Sequence, residues 1–227
     1  KKLKMLNSWR KFHFMDRDDN QAMIINIPEV IDPHYGMYVW PCAPVLAQYI
    51  WYNRECVAGK NVFEIGAGTS LPGIMAAKCK AHVTLTDSAE YPRCLENCRN
   101  SCRANDLPQV KVQSLTWGLL DGDTLSLGAL DVILGSDCFF DPQEFEEIIV
   151  TVSYLLKLNR KAEFWCTYQE RSSDWSIEGL LLKWNLNCNQ VPLPDFDADS
   201  GNIAESDLPG PHTIHMYVMT YNDVDDT

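Results

Sequence analysis

Val62-Phe63-Glu64-Ile65-Gly66-Ala67-Gly68-Thr69-Ser70 decides the fold. A short apolar run suited to a strand enters two glycines spaced by one, and a helix-compatible stretch over 72–79 follows. Glycine permits positive φ and lets backbone approach a ligand, while the helix behind aims unpaired N–H groups and its positive dipole end at whatever binds there. Outward from this turn, β-rich and helical segments alternate: strands over 82–86, 110–114, 130–135 and 162–168, helices over 92–105 and 142–157. That rhythm predicts an α/β, Rossmann-like fold with a parallel sheet and helices on both faces. The 142–157 helix is punctuated by Asp141 as cap, Pro142 at its first position and Glu144 near the positive dipole end.

Beyond the fifth strand the spacing predicts a helix over 173–187. Two strands over 188–193 and 213–221 follow with no helix between them, so they are expected to pair antiparallel. The proline-rich stretch 192–211 is long enough for a functional loop and is read as a lid. At the other end, Phe12, Phe14 and the run 23–27 flank a polar segment 16–20, which predicts a β-hairpin extension over residues 1–36 and a single globular unit over 37–227.

Composition narrows the function. The 227 residues carry 19 Lys+Arg and 31 Asp+Glu, a formal charge of −12, which makes a nucleic-acid partner unlikely on charge and favours cationic protein segments. The apolar stretch 148–156 is far short of the ~20 residues that span a bilayer, so no membrane role is expected. Lys1-Lys2-Leu3-Lys4 is followed by no apolar h-region, so no secretory signal is expected either. Nine cysteines with no C-x-x-C pair read as reduced thiols of a cytoplasmic or nuclear protein. Cys94, Cys98 and Cys102 recur every four residues and place the outer two about 12 Å apart along a helix, too far for one zinc, so they read as a packing seam. His212 and His215 are offset by three in a strand pattern, which sends them to opposite faces. No metal site is expected.

The strand over 82–86 ends in Asp87, 87 − 66 = 21 residues beyond Gly66, where a carboxylate accepts hydrogen bonds from the vicinal hydroxyls of an adenosine ribose. The position of a third fingerprint glycine is filled by Leu71, and Glu64 precedes the glycine turn. An acid there suits a cofactor bringing positive charge and repels a pyrophosphate, which favours S-adenosylmethionine over NAD. Asp137 follows the fourth strand at the edge where parallel sheets present ligands, and it is the first catalytic candidate. Trp117, after the third strand, offers a flat face and one N–H donor for adenine. Tyr168, ending the fifth strand, is a candidate hydroxyl at the acceptor.

Through Glu64-Ile65-Gly66-Ala67-Gly68 and Asp87 the chain resembles the seven-strand S-adenosylmethionine-dependent methyltransferases. Met37-Tyr38-Val39-Trp40-Pro41, Leu115-Thr116-Trp117-Gly118 and Ser136-Asp137-Cys138-Phe139-Phe140 extend the likeness, over about residues 36–221, to the methyltransferase-like proteins that modify protein lysine and related side chains. The resemblance implies strand order 3-2-1-4-5-7-6 with the last strand antiparallel. It implies Trp40, Gly66, Ala67 and Gly68 at the methionine end of the cofactor, Asp87 at the ribose, Trp117 beside adenine and Ser136 beside the adenosyl group. The family pattern after the fourth strand is an acid, two variable residues and usually tyrosine. Here the fourth position is Phe140, which offers a cation–π wall but no hydroxyl. A lysine is deprotonated by desolvation, whereas a guanidinium needs a carboxylate to polarise it, so the acceptor is open between lysine and arginine. The expected protein is a monomeric S-adenosylmethionine-dependent methyltransferase acting on a basic side chain of a protein partner, a histone among the candidates. The alternatives are a non-catalytic cofactor-binding interaction module, which Phe140 favours, and an NAD-dependent oxidoreductase.

Overall fold

A computed structural model describes residues 7–16, 21–30, 35–120, 122, 127–208 and 213–222. Seven strands form one sheet: β3 (Asn61–Ile65), β4 (His82–Asp87), β5 (Lys111–Ser114), β6 (Val132–Ser136), β7 (Glu163–Gln169), β8 (Leu186–Val191) and β9 (Ile214–Tyr221). Their spatial order is β5-β4-β3-β6-β7-β9-β8, which is 3-2-1-4-5-7-6 counted from β3. β3 pairs parallel with β4 (Val62↔Val83) and with β6 (Val62↔Val132), whereas β9 runs antiparallel to β7 (Cys166↔Tyr217) and to β8 (Cys188↔Met219). The sheet order and the antiparallel last strand match the expectation.

β3 is apolar on both sides because both faces of the sheet are covered. Alternation sends Val62 toward α1 (Cys42–Tyr52) and α3 (Leu71–Lys78), where it joins Leu46, Ile50, Ile74 and Met75. Phe63 and Ile65 point the other way and pack with Ile133 and Phe164 against Ile148, Ile149, Val152 and Leu156 of α5 (Phe145–Leu158). α2 (Arg54–Val57) is a short turn after α1, and α4 (Pro92–Ala104) follows β4. Cys94, Cys98 and Cys102 are buried along one side of α4, a packing seam as the spacing predicts. The α5 start is a 3₁₀ turn, Pro142–Glu144, capped by Asp141, whose Oδ1 accepts from the Gln143 amide at 3.0 Å.

β1 (Asn7–Met15) and β2 (Ala22–Val30) form the expected antiparallel hairpin, from Asn7↔Val30 to Met15↔Ala22. Phe12, Phe14, Ile25 and Ile27 are fully buried. Asn105, ending α4, clamps the hairpin: its Oδ1 accepts from the Asn26 amide at 3.0 Å and its Nδ2 donates to the Asn26 carbonyl at 2.7 Å. The polar link 17–20 and His212 lie outside the described residues.

Two expectations are corrected. The helix predicted over 173–187 is only α6 (Glu178–Lys183), because Asn185 turns the chain at φ 54 and Leu186 already pairs with Tyr221 at the start of β8. Long-range pairing overrides a local apolar period there. The lid read over 192–211 is a strap on the far side of α1. Phe196 is buried edge-on against Tyr49 at 5.1 Å, its carbonyl accepts from the Gln48 side-chain amide at 3.2 Å, and Glu205 pairs with His13 at 3.2 Å. None of its described residues lines the cleft described below. Among the described residues no helix is long and apolar enough to cross a membrane.

Candidate active site

The turn after β3 is built by glycine. Gly66 has φ 57, and a Cβ there would lie 2.8 Å from Trp117 Cζ2, so the indole reaches the turn only because the side chain is absent. Gly68 has φ 50 and faces Gly36, whose Cα would lie 3.3 Å from an added Cβ. The Gly68 amide donates to Asp87 Oδ2 and the Ser88 amide to Oδ1, each at 2.8 Å, so the carboxylate at the tip of β4 is fixed against the glycine turn. Burial raises the Asp87 pKa, and the two amides pull it back.

A cleft of about 610 Å³ opens at the carboxyl ends of β3, β4 and β6. Trp40, Gly66, Ala67, Gly68, Asp87, Trp117, Ser136, Asp137 and Phe140 all line it. Trp40 leans on Tyr38 with ring centres 4.9 Å apart. The Ser136 hydroxyl is buried with no hydrogen-bond partner among the described residues, a polar atom left for a ligand. Asp137 sits in the left-handed region (φ 55), its amide donating to the Thr167 carbonyl at 2.8 Å. The buried Cys42 thiol faces the Asp137 carboxylate; burial above all, then that charge, pushes its pKa well up.

Two predicted site residues stand elsewhere. Glu64 is 1% exposed and turns away from the cleft into α3, where Oε2 accepts from the Gly73 amide at 3.1 Å. A Cβ on Gly73 would lie 2.4 Å from that oxygen, which explains a glycine inside a helix. Burial drives the Glu64 pKa well above the ordinary carboxylate range, so its expected contact with a cationic cofactor gives way to a bracing role. Tyr168 packs edge-on against Phe139 at 6.5 Å and is not part of the lining, although its buried hydroxyl feels the Arg171 and Asp137 charges.

Further residues complete the lining. Arg171 enters from the loop after β7 and grips Asp137 with two hydrogen bonds, Nη1 to Oδ1 at 2.9 Å and Nη2 to Oδ2 at 2.6 Å. Nothing in local sequence signals a pair 34 residues apart. Glu90, Asp141, Glu144 and Glu147 give the lining an acidic side. Burial first, then the neighbouring Asp141, Glu147 and Glu90 charges, raises the Glu144 pKa.

The glycine cradle, the ribose-type carboxylate, the flat indole and the orphaned Ser136 hydroxyl together fit an adenosyl cofactor. Residues 19–177 match the family described as lysine methyltransferase. The chain belongs to that family. The histone-arginine methyltransferase METTL23 of Xenopus laevis is 56% identical over 213 residues, 93% of this chain and 91% of the relative. The protein-lysine methyltransferase METTL21E of Bos taurus is 37% identical over 156 residues, 66% of this chain and 51% of the relative. Among solved structures, the Thermus thermophilus 16S rRNA N2 G1207 methyltransferase superposes with a TM-score of 0.58 at 15% identity, over 94% of this chain and 50% of its own. A TehB-like methyltransferase from Corynebacterium glutamicum gives 0.55 at 14% identity, over 78% and 88%. This lysine methyltransferase family member is a protein methyltransferase that uses S-adenosylmethionine. The NAD-dependent oxidoreductase and the non-catalytic module are both set aside by that membership.

Proposed function

We propose that the enzyme methylates a side-chain nitrogen of a protein partner, with arginine favoured over lysine and a histone tail as the leading partner. The observation that carries this is Asp137: a carboxylate 5% exposed at the cleft, already holding a guanidinium through two parallel hydrogen bonds. The histone-arginine activity in the METTL23 name supports the arginine reading. Trp40, Gly66, Ala67, Gly68, Asp87, Trp117 and Ser136 would hold S-adenosylmethionine, which supplies a methyl group activated on a sulfonium. The work of the chain is alignment. Asp137 accepts hydrogen bonds from the entering cation and orients its nitrogen, and Phe140 supplies an apolar wall for its stem and a π face for its charge. A guanidinium keeps its proton in water, so a buried carboxylate that polarises it serves arginine better than the desolvation sufficient for lysine. Glu90, Asp141, Glu144 and Glu147 favour the approach of a basic segment. A reducing compartment, cytoplasm or nucleus, is part of the proposal; the nine cysteines, with no C-x-x-C pair, support it.

Incubating the enzyme with isotopically labelled S-adenosylmethionine and core histones, followed by tryptic mass spectrometry, tests this reading. Label on arginine is expected. Label confined to lysine overturns the arginine choice, and label on neither overturns the basic-acceptor reading.

A further inference from the structure

Arg171 stands where a substrate cation has to go. It lines the same cleft as Asp137 and Phe140, both its terminal nitrogens are spent on the Asp137 carboxylate, and Nη1 also donates to the Gln169 carbonyl at 3.0 Å. The two partners differ in freedom. The Asp137 carboxylate is 5% exposed, and its backbone amide is pinned to β7 through the Thr167 carbonyl. Arg171 is 26% exposed on a long side chain, in a stretch between β7 and α6 that carries no regular element. The guanidinium is therefore the member of the pair able to leave.

We propose that Arg171 is a specificity-determining residue: an internal guanidinium that occupies the acceptor carboxylate and yields it only to an incoming side chain that replaces both hydrogen bonds. This rests on the reading of Asp137 as the acceptor-binding group. Exchange of one cation for another avoids leaving a buried carboxylate unpaired, the costly event when a buried ion pair is broken. A neutral side chain offers no such compensation and is rejected. Arginine presents the same planar fork that it displaces, whereas lysine brings a point charge and satisfies the two oxygens less completely. Displaced Arg171 has acidic groups in the same cleft, Asp141 and Glu144, to turn toward. The resting pair thus filters acceptors for guanidinium and keeps the carboxylate charge compensated between turnovers.

The test titrates capped Gly-Arg-Gly and Gly-Lys-Gly tripeptides into the full chain saturated with S-adenosylhomocysteine. If the carboxylate is open in a tenth of molecules or fewer, removing the competitor raises apparent affinity by roughly ten-fold or more. Arg171→Met is therefore expected to bind the arginine peptide at least that much more tightly, with S-adenosylhomocysteine affinity unchanged and the arginine-over-lysine preference reduced. Should that variant fail to fold, Arg171→Lys, which keeps the charge but gives up the fork, is expected to show a smaller gain. In the unsubstituted protein, the Arg171 side-chain ¹⁵Nε signal is expected to move on saturation with the arginine peptide. Peptide affinity unchanged or lowered in the variants, or a stationary Arg171 signal, overturns the exchange and makes Arg171 a fixed support of Asp137. Loss of the acceptor reading has a separate signature: Asp137→Asn that binds the arginine peptide as well as the parent.

Discussion

Replacing Asp87 with alanine separates what the carboxylate does for the turn from what it does for the cofactor. Without ligand, Asp87 accepts from the amides of Gly68 and Ser88, both at 2.8 Å. Removing it leaves two partly buried donors unmatched, a loss of about 1–3 kcal/mol in unfolding free energy. With cofactor, the carboxylate also accepts from ribose hydroxyls, and charged hydrogen bonds of this kind contribute about 1.5–3 kcal/mol. At about 1.4 kcal/mol per decade, the dissociation constant for S-adenosylhomocysteine should rise roughly ten- to a hundred-fold. Calorimetric titration reads the affinity, and urea denaturation of the ligand-free protein reads the stability. Asp87→Asn keeps one acceptor oxygen and should fall between parent and alanine in both. Stability lost with affinity preserved within about two-fold would refute the ribose assignment and leave Asp87 as a brace of the glycine turn.

Glu64 ionises at higher pH in the folded chain than in the unfolded one, so its favourable contribution is complete below the ordinary value of 4.5 and fades as pH rises toward the folded value. Glu64→Gln keeps an acceptor for the Gly73 amide and does not titrate. Its melting temperature should gain on the parent as pH rises above about 4.5, and a flat difference would contradict the assigned cause. Phe196→Ala empties a fully packed site beside Tyr49 and should cost about 3–5 kcal/mol in chemical denaturation. It should leave S-adenosylhomocysteine affinity alone, since the strap is not a lid; a matching loss of affinity would restore the lid. Glu144→Gln combined with Glu147→Gln should weaken arginine-peptide binding and flatten its salt dependence, as seen in titrations over a series of ionic strengths.

Much of the fold was legible because covered parallel strands need apolar residues on both faces, which Val62, Phe63 and Ile65 declare. The glycine turn and Asp87 were legible for a related reason: a tight backbone and a strand-tip acid are local features at a predictable separation. Legibility failed where partners are distant. The apolar residues of 173–187 suit a helix, yet the antiparallel demand of β9 claims Leu186. Phe196 and Ile203 sit in a stretch that reads as an exposed loop, and only α1 and the hairpin give them a place to bury.

The same division runs through the site. Chain order and residue type alone determined that Gly66, Gly68, Asp87 and Asp137 would meet at the carboxyl edge of one sheet, because parallel β-α connections return every strand tip to the same side. Tertiary structure decided which way each side chain faces and what it touches. Glu64 braces Gly73 inside α3, Tyr168 leaves the cleft for Phe139, and Arg171 crosses from another loop to claim Asp137. Spacing along a chain sets where a Cα arrives; the direction of a carboxylate, and the cation it meets, follow from packing and charge compensation between segments that local sequence does not connect.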